Sequence, residues 1–241
     1  TAIMVMLLML LGSGLYVYSM YASTQSGDLN TENLNAKSGL SEDVINIALF
    51  GIDGRNDPDV EGDRTDSIMI ATIDLKNNTV KLTSIMRDTF VQITTTDGDT
   101  SYQKINAAYS LGGEELAIKT INENFDLNIT EYMTVNFDCL MDLVDAVGGV
   151  TVNVQNEDVL YWTNQYLGDS NKFGNRSDPD LTTTGEQTLT GAQALAYSRN
   201  RYSDSDYGRT QRQREVVNGI FEKVKSIDLL TAMNLVTKIY P

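Results

Sequence analysis

Histidine is absent from all 241 residues. Its absence excludes Ser-His-Asp and Cys-His catalysis and every metal site that needs an imidazole. The single cysteine, Cys139, rules out an internal disulfide and a cysteine-cluster zinc site. It falls in the apolar run FDCLMDLV and is expected to be an ordinary core residue. One cysteine suits a cytosolic protein or one exported by an organism that does not use disulfides. Positive charge is scarce, with 18 Lys and Arg against 33 Asp and Glu and a formal net charge of −15. Nucleic-acid binding needs a basic footprint, so no nucleic-acid partner is expected. Neither a P-loop nor a GxGxxG occurs, which counts against a nucleotide site. Internal repeats and low-complexity tracts are missing as well.

What is present describes a folded chain, 41% hydrophobic with tyrosine and glycine throughout. Residues 2–22, AIMVMLLMLLGSGLYVYSMYA, carry no charge. At about 1.5 Å per residue, such a helix spans roughly the hydrocarbon thickness of a bilayer. Tyr16, Tyr18 and Tyr21 gather at one end, as interfacial aromatics do. Residues 1–22 are therefore expected to be one transmembrane anchor, residues 23–43 a polar juxtamembrane linker, and residues 44–241 the functional domain. Asp28, Glu32, Glu42 and Asp43 after the anchor are compatible with an exported side.

The domain reads as α/β, strands alternating with helical patterns. Residues 44–50, VINIALF, form an apolar strand with Asp53 at its carboxyl end, where ligands collect in open α/β sheets. Residues 67–74 and 80–85 form a hairpin turned at Asn77-Asn78. Residues 90–93 make another strand and 94–101 a polar loop. KINAAY leads through Gly112-Gly113 into a helix, 132–135 is a strand, 137–147 a helix and 150–154 a strand. Residues 156–184 look like a surface excursion that could serve as a lid. A short helix ends at Arg201, an arginine-rich helix follows, and residues 228–240 form a last amphipathic helix. The chain stops at Pro241 without a turn or tail, leaving room for a further carboxyl-terminal element.

The arginines are unevenly placed. Arg199, Arg201, Arg209, Arg212 and Arg214 are five of only nine, crowded into one segment. With Asp206 as a cap, Arg209, Gln213, Val216, Val217, Ile220 and Val224 share one helical stripe. Arg209 and Gln213 thus continue an apolar face toward the core. A buried guanidinium needs an anion, and its planar fork suits phosphate. A solvated, salt-bridged face is the alternative.

Asp53 and Asp66 stand at strand boundaries separated by one loop and could converge. Two carboxylates with open positions for phosphate suit Mg²⁺, although acids at strand ends are also common turn formers. Arg64, Arg87 and Lys104 lie near the same edge. Taken singly each could be a surface charge. Together a metal and an arginine clamp are the minimum apparatus for displacement at a diphosphate, and a membrane tether favours a lipid-linked one.

Seven segments in order carry a resemblance. They are NIALFGIDGR (46–55), DRTDSIMIATID (63–74), SIMRDTFVQI (84–93), KINAAYSLGG (104–113), VDAVGGVTV (144–152), LTGAQALAYSRNR (189–201) and DYGRTQRQREV (206–216). The chain resembles the LytR-CpsA-Psr family of bacterial cell-envelope proteins. The resemblance implies a single domain with a central mixed β-sheet flanked by helices, behind one transmembrane helix and outside the cell. It implies transfer of a glycopolymer from an undecaprenyl diphosphate carrier onto a muramic-acid hydroxyl of peptidoglycan, with Mg²⁺ as cofactor. Teichoic acid and capsule are both possible polymers. Asp53 and Asp66 match the metal-binding acids; Arg64, Arg87, Lys104, Arg199, Arg201, Arg209 and Gln213 match residues around the diphosphate; Arg55, Asp88 and Asp206 match supporting polar positions. Met86 stands where proline is frequent, and Ser198 where valine is usual. Without histidine, a general base would have to be a carboxylate, with Asp88 the candidate. A lipid diphosphate phosphatase and a non-catalytic, membrane-anchored lipid or polymer binder remain alternatives.

Overall fold

A computed structural model of the chain describes residues 29–52 and 65–226. The expected anchor, the helix at 228–240, Asp53, Arg55 and Arg64 lie outside the described residues. Among the described residues, no helix is long and apolar enough to cross a membrane.

The central sheet is mixed. β1 (Val44–Ile52) lies between β2 (Thr65–Asp74), which it pairs antiparallel, and β6 (Glu131–Val135), which it pairs parallel. β3 (Thr79–Ile85) completes the order β3-β2-β1-β6 through the Asn78 turn. Ile68, Met69, Ile70 and Ala71 are all buried, so β2 is covered on both faces as an unbroken apolar run requires.

Two further antiparallel pairs form separate two-stranded sheets. β4 (Phe90–Thr94) pairs with β5 (Thr100–Lys104), and β7 (Val150–Val154) with β8 (Gly185–Leu189). β5 begins inside the polar loop expected at 94–101, and β8 lies just after the expected excursion at 156–184. Both are polar strands, TSYQK and GEQTL, so neither shows the apolar alternation that marks a half-buried strand.

Among the described residues, five α-helices accompany the sheets. α1 (Ala107–Phe125) starts seven residues before the expected Glu114 and breaks at Gly112-Gly113, where Gly113 takes φ +63. α2 (Phe137–Ala146) is capped by Asn136 and α3 (Glu157–Phe173) by Asn156. α4 (Gly191–Arg199) begins with a Thr190–Gln193 capping box, and α5 is Asp206–Ser226.

Helix α3 corrects the expected lid. Val159, Leu160, Thr163, Leu167 and Ser170 are buried at helical spacing, with α3 packed on α4. Two of those five are hydroxyl residues, so the apolar period was too diluted to read. The return segment is bound as well: Asn164 Nδ2 donates to the Leu181 carbonyl, and Leu181 N donates to Asn164 Oδ1, both at 2.9 Å.

The expected linker is partly docked. Leu34 is fully buried, Asn122 Nδ2 donates to its carbonyl at 2.9 Å, and Lys37 pairs with Asp126 at 2.7 Å. A second core joins Val144, Val150, Val152, Val154, Leu160, Leu189, Tyr197, Val216 and Ile220, fastening α5 against β7 and α4. Each such aliphatic residue stabilises the fold by about 1.5–3 kcal/mol. Val224 breaks the expected stripe, being 47% exposed. Cys139 is half-buried rather than core. Burial, and Asp142 nearby, push its thiol pKa up, so it stays protonated and unreactive.

Candidate diphosphate-binding site

The site forms where three chain segments meet: the start of β2, the turn after β3, and the first turns of α5. Asp66 enters β2 beside a register shift at Gly51/Ile52. Arg87 Nη1 donates to Asp66 Oδ1. The next turn is pinned by its backbone, since Ile105 N donates to Thr89 O at 2.8 Å and Asn106 N to Arg87 O at 3.3 Å. The Phe90↔Lys104 pairing then delivers Lys104 to Asp88, Nζ to Oδ1 at 2.7 Å.

Helix α5 closes over this turn. Thr210 Oγ1 lies 3.5 Å from Met86 Sδ, and Arg214 Nη1 donates to Ser84 Oγ at 3.1 Å. Arg209 is thereby brought in and is 4% exposed. It pairs with Asp206 on its own first turn at 2.5 Å.

The electrostatics are unusual. Burial lowers the Arg209 pKa first; Asp206 opposes that, while Arg87 and Arg201 lower it further and Asp66 raises it. Arg87 and Arg201 therefore both lie close enough to repel the buried Arg209. The Nε atoms of both Arg87 and Arg209 are buried without a hydrogen-bond partner. Such atoms are costly unless an acceptor arrives. Asp88 is affected in the opposite direction: its hydrogen bond from Lys104 lowers its pKa, with Lys104, Arg87 and Arg209 adding to the effect. Asp88 accepts from Lys104 Nζ at 2.7 Å and lies 4.0 Å from Arg87 Nε, so it orients both cations.

The remaining expected residues divide. Arg201 is exposed and joins the cluster through its field at Arg209. Gln213 lies one turn beyond Arg209 on α5, half-buried. Arg199 has a different setting, an aromatic box. Its guanidinium carbon lies 4.8 Å from the Phe137 ring centre, 5.1 Å from Phe173 and 5.6 Å from Tyr166. Cation–π attraction of this kind holds an arginine without cancelling its charge.

Sequence reasoning missed the groups that keep the segment rigid. Arg212, 3% exposed in its side chain, donates to both Asp204 oxygens at 2.8 and 2.9 Å and to the Asn200 carbonyl at 2.6 Å. Gly208 permits this turn, because a Cβ there would stand 2.0 Å from Asp204 Oδ2. Asn200, fully buried between the two expected arginines, donates to the Val159 carbonyl at 3.3 Å. The usable signal was the three-residue step from Arg209 to Arg212, which puts both on neighbouring positions of one face.

One groove of about 650 Å³ lies elsewhere, between β7 and α5, lined by Asn153, Glu186, Glu215, Asn218 and Glu222 among others. Its carboxylates make it unsuited to phosphate. The metal question rests on Asp66. Among the described residues no group of three acids could hold an ion. Mg²⁺ commonly binds through one or two carboxylates with waters and phosphate oxygens, so Asp66, whose second oxygen is not taken by Arg87, fits that habit.

An α/β domain here crowds guanidinium groups around buried N–H donors that lack acceptors, a chemistry that an anionic group would complement. The LytR_cpsA_psr family model matches residues 14–240. A Bacillus cereus (strain AH820) protein named polyisoprenyl-teichoic acid–peptidoglycan teichoic acid transferase TagU is 35% identical over 235 residues, covering 92% of this chain and 70% of that protein. A structure of TagT bound to LIIa-WTA aligns with TM-score 0.65 at 29% identity, covering 86% of this chain and 79% of that one. The Bacillus subtilis protein YwtF (TagT) with bound octaprenyl pyrophosphate lipid aligns with TM-score 0.62 at 29% identity, covering 86% and 78%. The chain belongs to the LytR-CpsA-Psr family.

Proposed function

We propose that the protein is a phosphotransferase that moves a glycopolymer from a polyprenyl diphosphate carrier onto a peptidoglycan hydroxyl. The observation carrying this reading is the crowding of Arg87 and Arg201 around the buried Arg209, with unsatisfied Nε atoms on Arg87 and Arg209. A diphosphate would supply acceptors to those donors and cancel the repulsion. The names of the relatives support the substrate: a teichoic acid transferase by sequence, and a polyprenyl pyrophosphate complex by fold.

The acceptor hydroxyl oxygen forms a bond to the phosphorus attached to the polymer's first sugar as the bond from that phosphorus to the lipid phosphate breaks, and the hydroxyl proton leaves with the departing phosphate. Polyprenyl phosphate leaves. Arg87, Arg201 and Arg209 neutralise the charge gathering on the departing phosphate, with Arg199 and Gln213 beside them. Preorganised donors of this kind are commonly worth factors of about 10²–10³ each. Lys104 and Asp88 hold the Arg87 turn. Asp66 would hold Mg²⁺ with Asp53, and the ion would supply further charge neutralisation at the phosphate oxygens. Arg55 and Arg64 are proposed to flank the same head group. The uncharged segment at residues 2–22 supports a single membrane anchor with the domain outside the cell, where its acceptor is found.

Incubating purified chain with lipid-linked polymer, with and without peptidoglycan, tests the reading. Polymer should become wall-attached, and Arg87→Ala should abolish attachment. Release of free polymer without attachment would mark a phosphatase. Full attachment by Arg87→Ala would leave only a binder.

A further inference from the structure

Next to the arginines lies a row of aromatic rings that the phosphate chemistry does not use. Tyr161 and Trp162 meet edge to face at 5.3 Å, Trp162 and Tyr202 lie 4.9 Å apart, and Tyr202 stacks on Tyr166 at 6.1 Å and 22°. The row joins α3 to the connection between α4 and α5. Tyr166 is shared with the Arg199 box, so one end of the row abuts the proposed site. Tyr161 is 56% exposed and Tyr202 65%. Large rings packed on one another at the surface mark a recognition patch more often than a fold requirement.

The surrounding charge narrows the occupant. Helix α3 carries Glu157, Asp158 and Asp169 against one base, Lys172, which already pairs with Asp169 at 3.9 Å. Asp204 follows Tyr202 by two residues and is held by Arg212. Arg199, over the Tyr166 ring, and Arg201, next to Tyr202, are assigned to the diphosphate, so along the α3 side of the row a polyphosphate chain or an anionic lipid surface would meet carboxylates, and membrane attraction requires the opposite sign. A pyranose ring presents a face of C–H groups to an aromatic ring and hydroxyls at its edge to tyrosine hydroxyls, and needs no positive charge.

We propose that Tyr161, Trp162, Tyr166 and Tyr202 form a stacking platform for successive sugar rings of the acceptor glycan strand, delivering one hydroxyl toward the arginine cluster. The assignment of the glycan as acceptor rests on the transferase reading above. The elongated, exposed row suits a chain approaching from solvent, whereas the donor's diphosphate is gripped beneath α5.

Trp162 is the only tryptophan in the chain, so its emission reports on this platform alone. The full chain, reconstituted in vesicles of anionic phospholipid, is titrated with a β-1,4-linked N-acetylglucosamine tetrasaccharide. A saturable change in Trp162 emission is expected, unaffected by excess poly(glycerol phosphate). Tyr202→Ala should weaken it about tenfold, with circular dichroism unchanged. Absence of a saturable change, equal affinity in Tyr202→Ala, or competition by poly(glycerol phosphate) would overturn the proposal. So would quenching of Trp162 by brominated phospholipid, which would put the row on the bilayer. The two readings separate cleanly: Arg87→Ala should keep the sugar response while losing transfer, and transfer without any sugar response would sink the platform alone.

Discussion

Arg209 and Arg212 stand three residues apart on α5 and are 4% and 2% exposed, yet their surroundings are opposite. Arg212 has two oxygens of Asp204, the Asn200 carbonyl and the Tyr197 ring at 5.9 Å. Arg209 has one carboxylate, Asp206, and faces two further arginines. The first is held at both of its Nη atoms, with only its Nε lacking an acceptor, and ties the α4–α5 connection to the helix. The second is unfinished without a ligand, and binding sites are where such incompleteness persists. Burial alone therefore does not tell a structural arginine from a functional one; its supply of acceptors does.

The sharpest way to break this comparison is to remove each arginine. Arg209→Ala should lower polymer attachment by a factor of about 10²–10³ and leave denaturant unfolding almost unmoved, since repulsion is relieved. Arg212→Ala should do the reverse, costing about 3 kcal/mol of stability because a carboxylate and a carbonyl lose their partner. Equal destabilisation by the two would erase the distinction. The Arg199 box comes next: Phe137→Leu or Phe173→Leu should weaken polyprenyl diphosphate binding about threefold through lost cation–π contact, measured by ligand-dependent shifts in Tm.

Two smaller effects follow from groups that are already satisfied. Tyr109 donates to Glu114 at 2.8 Å, and burial, first among the causes, pushes its pKa to about 12. A pKa raised on folding gives stability that is complete below the ordinary value of 10.0 and is lost as pH climbs toward about 12. Tyr109→Phe should flatten that alkaline loss and cost about 1 kcal/mol at neutral pH, read from unfolding curves at both pH values. For Asp88 the sign reverses. Its lowered pKa gives stability that is present above 3.8 and lost as pH falls below it. Because Asp88 and Lys104 are about half exposed or more, Asp88→Asn should change stability by less than about 1 kcal/mol.

Much of the molecule was legible in one dimension. The apolar run of β1, the Asn77-Asn78 hairpin and the short helix after Leu189 are local signals, and each lies where its residues predict. The arginine crowding and the placement of Arg87 at a strand end were equally readable. Helix α3, β5 and β8 were not: two of the five buried positions of α3 are hydroxyls, and β5 and β8 are polar strands without an apolar alternation. The aromatic box of Arg199 could not be foreseen either: Phe137, Tyr166 and Phe173 come from two helices that only packing brings together.

By itself the sequence determined the chemistry on offer: no imidazole, no disulfide, few cations, and those few gathered beside acids at strand ends. Composition and spacing are properties of the chain, so they can be read without coordinates. Only the tertiary structure decided which guanidinium would be satisfied by its own protein and which would be left wanting an anion. That choice depends on acceptors such as Asp204, Asp66 and the Asn200 carbonyl, whose distances are set by how α5 crosses the end of the sheet rather than by any local pattern.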